Sequence, residues 1–164
     1  YEELEYVHVL HYDFDGQVQE GELICNQAIA QDLTEIFKEL YDNQYPIEKI
    51  RLIDAYDADD DASMEDNNTS CFNYRAVAGK TTLSNHSYGL AIDINPFYNP
   101  YVRTKDGETL VSPENAMPYA DRSTDFPHKI DENDLCCQLF VKHGFTWGGN
   151  WNSVKDYQHF EKTP

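Results

Sequence analysis

The chain of 164 residues carries 30 acidic against 12 basic side chains, a formal net charge of −18. Such a surface repels nucleic-acid phosphates and anionic lipid headgroups, so neither is expected as a partner. No apolar run reaches the roughly 18 residues that read as a membrane span, and 40% hydrophobic residues suffice for one core, so residues 1–164 are expected to form a single domain.

The chain begins at Tyr1 rather than Met, inside an acidic strand-like segment, and reads as a trimmed or mature fragment whose targeting segment lies elsewhere. Its charge suits an extracellular protein kept soluble by charge, or one that faces a cationic partner. Twelve Tyr, 8 Phe and 2 Trp favour a partly aromatic, partly wet binding surface beside ordinary core packing.

Glu5 to Tyr12 is rich in β-branched and aromatic residues and predicts a strand. Asp13-Phe14-Asp15-Gly16 supplies turn chemistry, and Gln17 to Ile24 is the expected return strand. His8 and His11 are three apart, so on a strand they face opposite sides and cannot share an ion locally. Asn26 is a suitable N-cap for a helix ending at Tyr41, with Ile29, Leu33, Ile36, Phe37 and Leu40 at helical spacing. Asp42-Asn43 and Pro46 break it, and Lys49 to Tyr56 predicts another strand.

Asp57 to Asn68 reads as an acidic, solvated loop, a rim for a site. Asp57, Asp59 and Asp61 begin like a calcium loop, but Ala62 and Asn68 stand where glycine and glutamate are required. Thr69 to Ala78 looks extended, and Gly79-Lys80 is expected to turn. Asn99 to Thr124 reads as a long irregular connection of the kind that often binds ligands, and His128, just beyond it, is a further metal candidate. Asp131 to His143 predicts a helix, with acids at its start, Lys142 and His143 at its end, and Gly144 as its cap. Phe145 to Trp151 is an aromatic turn, and the last strand carries His159. Cys25, Cys71, Cys136 and Cys137 form no C-x-x-C pair, which argues against a cysteine zinc site. At least one of Cys136 and Cys137 is expected as a buried thiol, and a Cys25–Cys71 disulfide is left open.

The chemistry gathers in Ser84 to Pro96. As a strand, Gly89 to Asn95 puts Leu90, Ile92 and Ile94 on a core face, and Gly89, Ala91, Asp93 and Asn95 on the other. Asp93 therefore stands among small neighbours, downstream of His86 in a polar loop. Imidazole and carboxylate together suit zinc, which accepts nitrogen and oxygen donors. His159, on the C-terminal strand, completes a set of three, His86, Asp93 and His159, with a fourth position open for water. Asp156, three residues before His159, is expected in a loop and suits a general base.

Ser84-x-His86-x-x-Gly89-x-Ala91-x-Asp93 followed by Asp156-x-x-His159 resembles the zinc D,D-carboxypeptidase and dipeptidase group of vancomycin resistance. It is equally similar to the L-alanyl-D-glutamate endopeptidases of phage lysins and bacilli, and more distantly to hedgehog signalling domains. The resemblance covers roughly Thr69 to the C-terminus. It implies one Zn2+ held by His86, Asp93 and His159, with Asp156 as catalytic base. It also implies that Arg75 holds the oxyanion or a substrate carboxylate, and that Ser84 contacts the substrate. Tyr88, Trp147 and Trp151 are candidates for the pocket wall, and Glu161 for support behind His159. The expected fold is α+β, a small antiparallel sheet with helices on one face and the zinc site on the other. The expected activity is hydrolysis of peptidoglycan stem peptides by a monomer outside the cell or at the cell wall. A D-alanyl-D-alanine carboxypeptidase is favoured because no wall-binding domain is attached. An L-alanyl-D-glutamate endopeptidase, a non-hydrolytic zinc-binding recognition domain and a calcium-binding module are the alternatives.

Overall fold

The computed structural model describes residues 3–77 and 80–164. It is a mixed α/β structure in which several small sheets replace the single sheet expected. Strands β1 (Leu4–Tyr12) and β2 (Val18–Asn26) form a long antiparallel hairpin. The Asp13 carboxylate closes its turn by accepting from the Asp15 and Gln17 amides, both at 2.9 Å. On β1 His8 is exposed and His11 is buried against the Ile47 carbonyl, on opposite sides as strand parity requires.

Helix α1 (Gln27–Asp42) starts where predicted, the Asn26 side chain accepting from the Ala28 amide. Its buried Ile29, Leu33, Ile36, Phe37 and Leu40 cover the hairpin and meet helix α3 (Leu135–Lys142). The helix expected over 131–143 is thus shorter: Asp134 caps it, and the acids before it form turns. All four cysteines are buried free thiols, so Cys25 and Cys71 are not bridged.

The strand expected over 49–56 shrinks to β3 (Lys49–Ile50), followed by a 3-10 turn at Ile53–Tyr56. The acidic loop contains a short helix, α2 (Asp60–Glu65), capped by Asp59, and ends in β4 (Asn68–Thr69), parallel to β3. Beyond β4, residues 71–75 are irregular, tied down by the isolated bridges Ser70–Asp93 and Ala76–Leu83. The turn expected at Gly79-Lys80 involves Gly79, which lies outside the described residues.

The largest departure lies in 99–124. Instead of an irregular connection, β6 (Tyr101–Lys105) and β7 (Glu108–Ser112) form a hairpin, followed by a 3-10 helix at Glu114–Tyr119. Asp106 and Gly107 turn it with φ of 53° and 80°, the left-handed pair that matches strand twist in two-residue hairpins.

Strand β5 (Ala91–Asp93) is shorter than the predicted 89–95, because Gly89 and Asn95 have φ of 68° and 43°. It pairs with β10 (His159–Glu161), which in turn pairs with β8 (Thr146–Trp147). This small antiparallel sheet separates core from site. Ile92 and Phe160 point inward, where Phe160 stacks on Phe140 at 4.4 Å. Among the described residues no helix is long and apolar enough to cross a membrane.

Candidate metal centre

Asp93 and His159 are directly opposite in the β5–β10 register, and Ala91 faces Glu161. Opposed residues of an antiparallel pair share a face, so Asp93, His159 and Glu161 stand together over the small Ala91. His159 Nδ1 lies 3.2 Å from Asp93 Oδ1, and its Nε2 lies 2.7 Å from Glu161 Oε1. The other Glu161 oxygen accepts from Asn85 Nδ2 at 2.7 Å.

His86 arrives on a 3-10 turn, Asn85–Tyr88, which follows from the local sequence. Ser84 caps it by accepting from the His86 amide, and Gly89 ends it in the left-handed conformation only glycine adopts readily. His86 Nδ1 lies 2.6 Å from the Cys71 carbonyl, so it is the N–H donor and leaves the Nε2 lone pair free. That Nε2 is buried, 3.1 Å from Asp93 Oδ2, and makes no hydrogen bond among the described residues.

His86, Asp93 and His159 each place a donor atom within 4.8 Å of the others. A buried imidazole lone pair without a proton to accept, beside a carboxylate and a second imidazole, is a donor set that fits a divalent transition metal. Electrostatics agree. Burial alone would raise the Asp93 carboxyl, but His86 and His159 hold it well below the usual carboxylate range. Burial alone would lower His159, but hydrogen bonds to Asp93 and Glu161, with the charge of Asp156, raise it to about 10. An imidazole that carboxylates hold protonated this strongly sits in a negative field that can accept a dication in the proton's place.

Asp156 is not in a loop as expected. It ends a two-residue strand, β9 (Lys155–Asp156), paired with β6 so that Asp156 faces Tyr101. Its Oδ2 is 3.7 Å from His159 Nδ1, and its Oδ1 is buried without a hydrogen-bond partner among the described residues. Burial pushes this carboxyl up, Asp93 adds to the rise, and His159, His86 and Arg75 draw it back, leaving it at about 7.

His86 is buried beside Asp93, and Asp93, Asp156, His159 and Glu161 line a cleft of about 580 Å³. Arg75, Ser84 and Trp151 line it, with the Trp151 ring 5.1 Å from that of His159. Tyr88 does not line it: its side chain is half exposed on the outer side of the 3-10 turn. Trp147 is buried in the core, its indole donating to the Tyr157 carbonyl. His128 stacks on Phe14 at 3.7 Å, outside this cleft.

Two residues escaped the sequence reading. Asp60, assigned to a solvated loop, turns into the cleft and sits 3.4 Å from Arg75 Nε. Burial raises its carboxyl, against the pull of Arg75. Acids at Asp60 and Asp61 just after a capping Asp59 are a helix-start signature that was available. Ser87 Oγ accepts from the Arg75 amide and donates to the Arg75 carbonyl, both at 2.8 Å, locking the arginine's backbone to the His86 turn.

The acidic loop forms no metal cluster among the described residues; Asp59 caps α2 and Asp66 binds Lys49 and Tyr56. The second metal-capable group, Asp32, Glu35 and His143, already holds the Lys162 ammonium, 2.9 Å from Asp32 Oδ2.

No solved structure matches the chain. The profile of a family described as D-alanyl-D-alanine carboxypeptidase matches residues 78–162, more than half the chain, including His86, Asp93, Asp156 and His159. Arg75 and Asp60 precede the matched segment. The chain belongs to this D-alanyl-D-alanine carboxypeptidase family of peptidases.

Proposed function

We propose that the protein is a zinc peptidase that removes the terminal D-alanine of peptidoglycan stem peptides, acting as a single-domain monomer outside the cell or at the cell wall. The observation that carries this reading is that two residues with unpartnered buried atoms, His86 through Nε2 and Asp156 through Oδ1, flank the Asp93–His159 pair, and that Asp93, Asp156 and His159 line one cleft. His86, Asp93 and His159 would hold the ion. Zinc supplies Lewis-acid polarisation of the scissile carbonyl and lowers the pKa of water.

The chain's own groups account for the rest. Glu161 and the Cys71 carbonyl fix the two imidazoles, each taking an N–H so that the opposite nitrogen faces the cluster. Asp156, poised at about 7, takes a proton from the attacking water and gives it to the amine as the C–N bond breaks. Arg75 neutralises charge developing on the carbonyl oxygen or holds the substrate's terminal carboxylate. Its charge is already felt at Asp156. Ser84 and Trp151 contact the peptide from the wall. The presence of Asp156 and Arg75 on the cleft argues against a purely recognitive zinc domain.

Mass spectrometry of purified muropeptides incubated with the zinc-loaded protein tests this directly. Loss of one terminal D-alanine is expected, abolished by chelation and restored by zinc. Release of L-alanine-linked sugar fragments would instead assign an L-alanyl-D-glutamate endopeptidase.

A further inference from the structure

The cleft is richer in cations than the rest of the molecule, with four basic side chains beside five acidic ones, Asp60, Asp61, Asp93, Asp156 and Glu161. Acids outnumber bases 30 to 12, yet Arg75, Lys80, Arg103 and Lys105, a third of all the lysines and arginines, line this one cleft. Arg75 is paired with Asp60. Among the described residues, Lys80, Arg103 and Lys105 have no acidic oxygen within 4.0 Å; the ion pairs of Lys38, Lys49, Arg51 and Lys162 lie elsewhere. Glu108 faces Lys105 across the β6–β7 hairpin without closing an ion pair.

The arrangement is directional. Tyr101, Arg103 and Lys105 alternate along β6 and so share one face, and Tyr101 is register partner to Asp156. The strand therefore runs outward from the base as a cationic rail. At about 3.3 Å per residue, Arg103 stands about 7 Å and Lys105 about 13 Å beyond Tyr101. A peptide extended along this wall advances at a similar rise, so the two cations meet groups about two to four residues from the scissile bond.

From this geometry we infer that the Arg103–Lys105 face of β6 is a carboxylate-recognising subsite, which selects peptides bearing a free carboxylate two to four residues from the bond that is cut. Lys80 adds positive charge to the same cleft. The subsite draws an anionic peptide into a protein whose overall charge repels it, so it contributes to encounter as well as to binding. The inference deepens the peptidase reading and rests on it for the position of the scissile bond.

The test uses two stem-peptide mimics identical except that the glutamyl carboxylate is free in one and amidated in the other. The free acid should show a KM about fivefold lower, with kcat within about twofold, and the gap should narrow at high salt. Arg103→Gln combined with Lys105→Gln should abolish the preference by raising KM for the acid alone. Equal KM values for both peptides, or a preference that survives the double substitution, overturn the subsite and leave the peptidase reading intact. If neither peptide is cut, the peptidase reading fails instead. Fluorescence anisotropy of the two labelled peptides with the zinc-loaded protein then decides the subsite: tighter, salt-sensitive binding of the acid that is lost in the double variant supports it, and equal binding refutes it.

Discussion

Glu161 and His159 sit two residues apart on one strand face and are joined by a 2.7 Å hydrogen bond between Oε1 and Nε2. The carboxylate is itself fixed by Asn85, from the turn that carries His86. Two segments that carry candidate ligands are thus aligned through one residue that is not itself a candidate ligand. Such partners orient a ligating imidazole, and their loss costs about 10–100-fold in metal affinity. Glu161→Ala should weaken zinc binding by that order in competition with a chromogenic chelator, while circular dichroism stays unchanged.

Gly148 lies against both Asp156 and His159. A Cβ placed on it would sit 2.5 Å from the Asp156 carbonyl oxygen, 2.8 Å from Asp156 Cβ and 3.2 Å from His159 Cβ. The obstructing oxygen is backbone, so β9 must shift. Gly148→Ala should destabilise the protein by about 1–3 kcal/mol in urea titration and lower kcat more than it raises KM.

Ser87 tests how Arg75 is positioned. Its hydroxyl is the hydrogen-bond partner of the Arg75 amide and also donates to the Arg75 carbonyl. Ser87→Ala leaves that amide without its partner, at a cost of about 1–3 kcal/mol. Peptidase activity should fall through Arg75 while zinc content stays at the wild-type level. Unchanged kinetics would show that Arg75 needs no such clamp.

Acid stability should depend on Asp32. Burial alone would raise its carboxyl, but hydrogen bonds from His143 and Lys162 hold it below its ordinary value. A carboxyl lowered on folding stabilises the native state above its unfolded value, about 4, and that contribution is lost as pH falls through the lower folded value. Asp32→Asn should therefore cost about 1 kcal/mol at pH 7, a gap that closes on acidification below about pH 4. A gap that widens with acid would contradict the assignment.

The parts of the fold and site that were legible from sequence are those governed by strict periodicity. Alternation at Ile92, Asp93 and Ile94 predicted which side faces the core, and the β5–β10 register adds that His159 meets Asp93 on the other side. The α1 stripe and its Asn26 cap were likewise readable. The β6–β7 hairpin was not recognised, although Asp106-Gly107 between β-branched runs is the same signal used at Asp15-Gly16; surrounding prolines and polar residues favoured an irregular reading. Asp60 was hidden for a different reason. In a run of acids, composition cannot say which one turns inward, because that depends on Arg75 arriving from another segment. Tyr88 fell beside His86 in sequence, but the 3-10 turn sends the two side chains to opposite sides, one buried and one exposed.

The central claim is that Asp156 moves the proton while His86, Asp93 and His159 hold the ion. The most direct measurement compares wild type with Asp156→Ala for zinc content and muropeptide cleavage on the same preparations. The account predicts about one zinc per chain in both proteins, and a fall in cleavage of about 10²-fold or more in the variant. Full activity in zinc-loaded Asp156→Ala, or a wild type that binds no zinc, would contradict it.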